Sequence, residues 1–444
     1  MKKKRAEFSN FFGFVLVSAG SSIGLGNIWR FPYLTGVSGG GIFVLIYAIT
    51  MFTIGVSILL VEFIIGRHGR ANAVKSYEKF NSKFKYLGYL NVFTSFIILS
   101  FYSVVGGFTI YYFINSLTGN IVNTDINYSE FFNNFVTDPY SIIFCTFLFL
   151  FFTIFIVIQG INKGIERYSR IMMSIMFILI IILMFRSLTL ENAIEGIKWY
   201  LKPNFSMINK TTILAALGQV FFTLSVGLST MLTYSSYLSK KEYLPKAAAM
   251  VAFLDFFISI ISGFIIFPAV FSFGLNPASG VNLVFITLPE VFSAMPVGII
   301  FSILFFLFLT FASITSSISM MEVAITYFTE TFNINRRRIS LFYGLAVFLL
   351  SIPAALSFNV LGELKVLGLN IFDLFEYFCA NISLPLGGLM CAILVGWFSN
   401  KKQIYNLYSN EGVYKADLFI FWYNLVKYVV PPIIILIWIN SIFI

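Results

Sequence analysis

Long apolar stretches alternate along this chain with short polar segments. A helix needs about 20 mainly apolar residues to cross the hydrocarbon core of a bilayer. Eleven stretches meet this requirement, and several exceed the length of a straight crossing, which predicts tilt or breaks. They lie at residues 11–36, 41–66, 86–117, 140–159, 165–185, 211–238, 244–273, 295–329, 339–357, 372–398 and 417–442. The pattern predicts an all-α membrane protein with eleven transmembrane helices, surrounded by membrane lipid.

The composition supports this class of protein and excludes others. Of the 444 residues, 59% are apolar and 11% are charged, and the mean hydropathy is +0.90. Soluble domains are about half apolar and about a quarter charged, so a soluble enzyme is excluded. Disorder is excluded because 55 Phe and 23 Tyr residues cannot remain in water. One His and three Cys without metal-ligand spacing do not make a zinc or haem site.

The net charge of +10 becomes a topology signal once the charges are placed on the predicted loops. With the N-terminus inside, 22 of the 29 Lys and Arg residues lie in cytoplasmic segments and five lie in outer loops. An excess of Lys and Arg on the cytoplasmic side is the usual pattern in membrane proteins. We therefore expect a multi-pass protein with its N-terminus inside and its C-terminus outside, and no nucleic-acid partner.

Two of the predicted helices contain residues that weaken a helix. The first span carries three Gly and three Ser within residues 18–26, and the sixth carries Thr, Ser and Gly within residues 223–229. A break frees backbone groups that lipid cannot satisfy, so it must face a cavity or a ligand. Interrupted helices at matching positions of two halves indicate a transporter site. The alternative is close packing of helices through small residues.

Several motifs resemble those of one transporter family. The run Gly24-Leu25-Gly26-Asn27-Ile28-Trp29-Arg30-Phe31-Pro32-Tyr33 is similar to the first-helix signature of the neurotransmitter:sodium symporter family. The segments 218–225, 285–289 and 315–317 agree with the same family, in the same order. The resemblance extends from Arg5 to the eleventh span.

This resemblance implies both a fold and an activity. The fold is an inverted repeat of two five-helix units, with helices 1 and 6 unwound around a midplane site. We expect the first unit at residues 1–200, the second at 201–400 and helix 11 at 401–444. The implied activity is sodium-coupled uptake of an amino acid or amine by alternating access. The family usually has twelve spans, and eleven is a pattern seen among bacterial members, which places the chain in a bacterial inner (plasma) membrane.

The resemblance also implies two sodium sites made of oxygen atoms, the ligands that hard cations prefer. The first site uses the Ser22 carbonyl, Asn27, Thr223 and Asp255, and the substrate carboxylate can complete it. The second uses the carbonyls of Gly20, Ile23 and Ala312 and the hydroxyls of Thr315 and Ser316. Taken without the resemblance, Thr315 and Ser316 are more typical of helix packing.

The implied substrate pocket carries no ionisable group suited to a charged side chain. Amine-transporting relatives have an acid at the position of Gly24, whereas Gly leaves room for a substrate carboxylate, to which Tyr102 would donate. Met adapts to varied shapes. We therefore expect a large apolar or aromatic L-amino acid rather than a monoamine. The expected substrate-binding residues are Ser22, Gly24, Gly26, Ile98, Tyr102, Phe222, Ser225, Leu228, Ser317 and Met320.

Charges inside the apolar spans predict gates and internal hydrogen bonds. An unpaired cation within a membrane costs at least a few kcal/mol, so Arg30 needs a partner. The family pattern gives Glu376 as that partner at the outer gate, and Asp373 is the alternative. Glu62 lies inside the second span, where we expect it to accept hydrogen bonds from the backbone near the first break.

The family pattern also concerns the cytoplasmic end. It implies an inner gate in which Arg5 pairs with Glu330 near Tyr237, although Arg5 alone could be only a topology charge. Many bacterial members have Gly, nine residues and then Pro at the start of helix 5, where unwinding lets water reach the inner sodium. Here Gly164 is followed at that spacing by Ser174, which cannot force a break as Pro does.

Asp255 predicts independence from chloride. Chloride-dependent relatives have Asn at this position and hold chloride with residues matched here by Tyr47, Gln219 and Ser259. A buried carboxylate beside a cation stays ionised, and it supplies the negative charge permanently. The alternative is an acid that serves only helix capping or packing.

A channel, a membrane enzyme and a sensor are the alternatives to a transporter. A channel needs a ring-like filter, which one asymmetric chain does not provide. A membrane enzyme needs clustered acids, His or nucleophiles, and this chain has few of them. A sensor of the same fold that binds an amino acid without transporting it is compatible with every motif. The oligomeric state is not determined by these patterns.

Overall fold

The chain forms a bundle of helices. The computed structural model describes residues 5–122, 126–274 and 283–443, and this part of the chain contains helices and isolated bridges but no strand. The long helices are α1 (Phe11–Ser22 with Gly26–Val37), α2 (Gly41–Gly69), α3 (Ser82–Leu117), α4 (Pro139–Ile158), α5 (Ile161–Leu188), α6 (Lys210–Thr223 with Thr230–Ser235), α7 (Leu244–Ser272), α8 (Gly298–Phe332), α9 (Arg336–Leu356), α10 (Ile371–Trp397) and α11 (Phe419–Asn440).

These helices confirm the predicted class. Within the described ranges, nine are continuous and apolar enough to cross a membrane, and α1 is a tenth crossing that bends by 57°. The sixth predicted span is α6, which is interrupted between Thr223 and Thr230. Short helices connect the crossings. They include Ala73–Phe80, Tyr128–Thr137, Ala193–Leu201, Leu288–Ala294 and Lys401–Ser409.

The break in α1 follows from its small residues. The helix begins behind Asn10, whose side chain accepts a hydrogen bond from the Gly13 amide at 2.7 Å. It stops at Ile23, whose backbone is extended (φ −74°, ψ 111°). Helical geometry resumes at Leu25, so the carbonyls of the last turn before the break have no continuing helix above them.

The break in α6 spans residues 224–229 and depends on left-handed backbone. Ser225, Gly227 and Ser229 have φ of +52°, +86° and +62°. Gly227 lies so close to the backbone of α10 that a methyl group built on it would collide with the Leu384 carbonyl. Glycine is therefore required here for both conformation and space.

Glu62 stabilises the break in α6. The expectation that Glu62 accepts hydrogen bonds from the backbone near the break in α1 was therefore wrong. Its side chain is fully buried in α2. Its carboxylate accepts hydrogen bonds from the backbone amides of Gly227 at 2.7 Å and Leu232 at 3.3 Å. Because α2 packs along the second half of α6, the buried carboxylate meets the amides that the second break frees.

The two broken helices lie inside the bundle, because residues 13–28 of α1 and 223–238, which include the second half of α6, are buried throughout. The most extensive contact between helices joins α3 and α8, and α1 also packs against α7, α8 and α5. The division into residues 1–200, 201–400 and 401–444 remains a prediction. Ala193–Leu201, which precedes α6, ends close to the first of these boundaries.

Candidate functional site

A small cavity lies between the two breaks. Its volume is about 60 Å³, and its lining is mainly apolar with a few hydroxyl groups. The lining residues are Ser21, Ser22, Gly24, Leu25, Gly26, Ile98, Phe101, Tyr102, Phe222, Thr223, Ser225, Leu228, Ser316, Met320 and Leu384. Nine of the ten residues expected to bind substrate are among them, and the lining contains no Asp, Glu, Lys, Arg or His.

Ser317 is the expected substrate residue that the structure places elsewhere. Its hydroxyl lies 2.7 Å from the Thr153 hydroxyl of α4 and donates to the Ile314 carbonyl at 2.8 Å. Ser316, one position earlier on α8, lines the cavity instead. Successive residues of an α-helix point about 100° apart, so adjacent serines serve different neighbours.

Tyr102 and Gly24 define the polar end of the cavity. The Tyr102 hydroxyl is buried and makes no hydrogen bond of regular geometry among the described residues, although Ser316, Ser313 and the Leu25 backbone are its polar neighbours. A methyl group built on Gly24 would lie 2.7 Å from the Ser316 hydroxyl and 3.3 Å from the Tyr102 hydroxyl. Any larger residue at position 24 would therefore fill the space between these two groups. Buried polar groups normally have partners, so an unpaired hydroxyl facing a cavity indicates a ligand position.

Asp255 organises a group of polar side chains that we call the Asp255 cluster: Asn27, Tyr47, Thr223, Asp255 and Ser259. The carboxylate is fully buried in α7. One oxygen accepts from the Thr223 hydroxyl and from the Asn27 amide, each at 2.9 Å, and the other accepts from Tyr47 at 3.3 Å. Ser259 accepts from Asn27 at 2.9 Å.

The Asp255 carboxylate has no positive partner. None of the ion pairs in the described part of the chain includes it. Transferring a carboxylate from water to a protein interior is costly unless a cation or several hydrogen bonds compensate. The cluster therefore has the charge and the oxygen atoms that a small cation requires. Ser22, the other residue assigned to this set, lines the adjoining cavity.

A second group of oxygen atoms, the Ser316 cluster, joins α1 to α8. It consists of Gly20, Ile23, Ala312, Thr315 and Ser316. The Ser316 hydroxyl lies 3.3 Å from the Ile23 carbonyl and 3.2 Å from the Ala312 carbonyl. The Thr315 hydroxyl donates to the Ala312 carbonyl at 3.0 Å, and a methyl group built on Gly20 would lie 3.4 Å from the Thr315 Cβ. All five predicted residues are thus brought together, and all their oxygens are neutral.

The cavity opens on the side of Arg30. It adjoins a larger cavity of about 400 Å³ that both Arg30 and Glu376 line. Arg30 donates to Gln219 at 3.0 Å and lies 4.6 Å from the centre of the Phe222 ring. It forms no ion pair in the described chain, so the expected contact with Glu376 is absent from this conformation. The alternative partner, Asp373, is hydrogen-bonded to Asn370.

Gln219 is turned away from the Asp255 cluster. Its amide nitrogen donates to the Gly26 carbonyl at 2.9 Å, while its oxygen accepts from Arg30. Of the three residues matched to chloride ligands, Tyr47 and Ser259 therefore contact the cluster directly, and Gln219 connects Arg30 to the broken part of α1.

The opposite side of the cavity is closed. Arg5 forms an ion pair with Glu330 and donates to the Ser236 hydroxyl at 2.7 Å. Its guanidinium lies 4.5 Å from the centre of the Tyr237 ring. Glu330 also accepts from the Asn72 amide at 2.7 Å. The structure thus brings together the three residues predicted for the inner gate.

The sequence reasoning missed a buried ion pair beside this closure. Glu322 of α8 is fully buried and pairs with Arg336, one of the 22 Lys and Arg residues that the charge pattern places in cytoplasmic segments. Tyr237 donates to the same carboxylate at 2.9 Å. Arg336 also donates to the Val157 carbonyl at 2.8 Å. A carboxylate within an apolar span needs a cation, so Glu322 itself was the available signal.

A second missed residue, Glu166, connects α5 to the start of α1. It is buried and accepts from the backbone amide of Ser9 at 3.0 Å and from the Ser9 hydroxyl at 3.1 Å. Arg170 completes the contact with an ion pair at 2.7 Å. From Ile161 to Leu188 α5 is continuous, so Ser174 does not interrupt it in this conformation.

Comparison with known proteins identifies close relatives of this chain. A model of the Sodium:neurotransmitter symporter family matches residues 5–139 and 132–444. The uncharacterized sodium-dependent transporter YhdH of Bacillus subtilis is 37% identical, over 99% of this chain and 98% of that protein. An uncharacterized sodium-dependent transporter of Haemophilus influenzae is 39% identical, over 99% of each chain.

A solved structure agrees with the fold. The crystal structure of MhsT in complex with L-phenylalanine superimposes with a TM-score of 0.90 at 38% sequence identity. The match covers 99% of this chain and 100% of that one. The likeness therefore extends over both broken helices and the cavity between them.

Proposed function

The chain belongs to the sodium:neurotransmitter symporter family and is a sodium-dependent membrane transporter rather than an enzyme, and we propose that it imports a large apolar or aromatic L-amino acid together with sodium. The observation that carries the choice of substrate is the cavity at the two breaks, which shares Ile98, Tyr102 and Phe222 with the adjoining cavity of about 400 Å³, so that the two together have room for a large side chain. The lining of the smaller cavity lacks acidic and basic side chains, and Gly24 leaves space beside the unpaired Tyr102 hydroxyl.

Each end of the substrate has a place in this arrangement. The α-carboxylate lies beside Gly24 and accepts a hydrogen bond from Tyr102. The apolar side chain lies toward Ile98, Leu228 and Met320, which line the same cavity. Binding of L-phenylalanine by the similar protein MhsT supports an aromatic substrate.

Each of the two clusters would bind one of the sodium ions that are transported with the substrate. The Asp255 cluster offers a carboxylate with amide and hydroxyl oxygens, and the substrate carboxylate can join it. The Ser316 cluster offers carbonyl and hydroxyl oxygens from α1 and α8. Because Asp255 supplies a fixed negative charge, transport needs no chloride.

Coupling follows from the asymmetry of the two sides. The cavity is open toward Arg30 and Glu376 and closed at Arg5 and Glu330. Ions and substrate that bind between the breaks draw α1 and α6 toward α3 and α8, which favours closure at Arg30 and later opening at Arg5. We place the N-terminus in the cytoplasm and the chain in a bacterial plasma membrane, so that the Arg30 side faces outward.

Uptake into proteoliposomes tests this function. Vesicles that contain purified protein should accumulate labelled phenylalanine, tryptophan or leucine when sodium is present outside only, and should not when potassium replaces it. Substrate binding without accumulation under a sodium gradient would identify a sensor instead. Accumulation driven fully by a proton gradient without sodium would refute the coupling.

A further inference from the structure

A second, larger pocket lies far from the substrate cavity, on the side of the bundle that carries Arg5. Its volume is about 810 Å³, and it lies where α2 and α10 end and where the loop after α6 approaches the short helix Lys401–Ser409. We call it the basic pocket. Its charged lining residues are Arg67, Arg70, Lys79, Lys240, Lys241, Lys402 and Glu411. The remaining lining residues are His68, Asn400, Gln403, Asn406, Leu407, Asn410 and Val413.

The cations of this pocket are poorly neutralised. Six Lys and Arg side chains face one acid, Glu411, in its lining. Arg67 is buried and donates to two neutral groups, the Glu242 carbonyl and the Asn410 side chain at 2.6 Å. The carboxylates of Glu242 and Glu411 are near enough to attract it, but neither forms an ion pair with it in the described chain. Arg70 is the member of the set that forms an ion pair in the described chain, with Glu7.

This geometry differs from that of ordinary topology charges. An excess of Lys and Arg on one side requires only that cations lie in the loops, exposed to water. Here Lys240 and Lys241 of the loop after α6 and Lys402 after α10 are exposed as well, but they line one concavity together with the buried Arg67 of α2. Like charges held together repel one another, so a multivalent anion that enters would relieve repulsion and gain hydrogen bonds from guanidinium, ammonium and amide groups.

We propose that the basic pocket binds a phosphate-bearing anion. Its place at the ends of membrane-crossing helices suits the headgroup of an anionic lipid, since basic pockets between helices recognise such headgroups. A soluble phosphate compound offers the same chemistry. The shared recognition element is the phosphate group, held by Arg67 and by Lys240, Lys241 and Lys402.

An anion bound in the basic pocket would also affect the closed side of the transport site. Arg70 lies in the pocket wall and holds Glu7, which is two residues from Arg5. Phe8, the next residue, donates its backbone amide to the Tyr237 carbonyl at 3.1 Å. An anion that attracts Arg70 away from Glu7 would loosen this N-terminal segment and favour opening. This consequence rests on the proposed transport function, whereas binding itself does not.

Two binding measurements on the purified full chain separate the possible sources of phosphate. Native mass spectrometry compares retention of phosphatidylglycerol with that of phosphatidylcholine, and calorimetry in neutral detergent measures binding of inorganic pyrophosphate. The test variant replaces Lys240, Lys241 and Lys402 with Gln. The matched control replaces Lys83, Lys163 and Arg338 with Gln. These residues are exposed on the same side of the bundle but outside the pocket, so the control removes the same number of positive charges.

Preferential retention of phosphatidylglycerol that falls at least about tenfold in the test variant, but not in the control, supports the site with lipid as its source. Pyrophosphate binding lost in the same selective way, without lipid preference, supports a soluble source. Equal losses in both variants would mean a diffuse charge effect and would overturn the proposal. Absence of selective binding of either probe to the wild-type protein would overturn it as well.

Hydrogen exchange tests the link to the closed side. In nanodiscs containing phosphatidylglycerol, amides of residues 5–13 should exchange several-fold faster than in phosphatidylcholine nanodiscs. The test variant should lose this difference, and the control should keep it. Equal exchange in both lipids, with lipid binding confirmed, would show that the pocket does not act on the N-terminal segment.

Discussion

The Asp255 cluster and the Ser316 cluster lie on the two sides of the break in α1 and are built on different physical principles. The first assembles side chains from α1, α2, α6 and α7 around a buried carboxylate without a cation. The second places two hydroxyls of α8 against carbonyls of α1 and of α8 itself, and it holds no charged group.

This difference has a consequence for ion binding. A carboxylate attracts a cation through a full charge, whereas neutral oxygens attract it through dipoles and must be placed by the backbone. The Asp255 cluster should therefore depend strongly on one side chain. The Ser316 cluster should lose less when one hydroxyl is removed, because its carbonyls remain.

Replacement of Asp255 by Asn should have the largest effect. Two unit charges about 4 Å apart interact by about 4 kcal/mol at an effective dielectric constant of 20, which corresponds to a roughly 1,000-fold loss of sodium affinity. Sodium titration of uptake measures this change, and chloride should restore part of the activity because Tyr47 and Ser259 remain. The control Asp373→Asn removes an acid outside the cluster. Normal sodium dependence in Asp255→Asn would contradict the role of the carboxylate.

Tyr102→Phe should have the second-largest effect. It removes the hydrogen bond to the substrate carboxylate, which is expected to complete the Asp255 cluster and not the Ser316 cluster. Loss of a hydrogen bond to a charged group costs about 1–3 kcal/mol, so substrate affinity should fall about 5- to 150-fold. The matched control is Tyr112→Phe, which removes another buried, unpaired hydroxyl of α3. Competition binding with labelled substrate gives both values. A similar loss in both variants would indicate a general effect on folding.

Ser316→Ala should have a smaller effect, since it removes one neutral oxygen from the Ser316 cluster. The expected loss is about 0.5–1.5 kcal/mol, or about 2- to 12-fold in sodium affinity. Ser317→Ala is a sharp control because that hydroxyl points to Thr153. The sodium dependence of Ser317→Ala should equal that of the wild type, and any slight loss should appear in thermal stability. The reverse ranking of these two variants would exclude the proposed orientation of α8.

Replacement of chloride by gluconate should have the smallest effect of all. Asp255 already supplies the negative charge, so the wild-type uptake rate should stay the same within error. Uptake that falls to background without chloride would show that the carboxylate does not take the place of an anion, and the contrast between the two clusters would then lose its basis.

The amino-acid sequence was sufficient to predict the membrane-crossing helices and the positions of the two helix breaks. A run of 20 apolar residues favours a helix in lipid whatever surrounds it, and the Gly and Ser residues near Gly24 and Gly227 weaken a helix locally. The resemblance of the first helix to its family added most of the candidate site. The predictions of the crossings and of the two breaks were confirmed because they depend on near neighbours in the chain, whereas the roles of the site residues remain predictions.

The tertiary structure decided which group each polar side chain meets. Glu62 contacts the break in α6 rather than the break in α1, and Arg30 contacts Gln219 rather than Glu376. Ser316 and Ser317 are adjacent serines, yet only Ser316 faces the cavity. Composition and hydropathy are properties of a segment by itself, but a hydrogen bond requires two groups that can be hundreds of residues apart. Whether two such groups come within hydrogen-bonding distance depends on how each helix is rotated and packed. These rotations and packings are fixed only in the complete bundle.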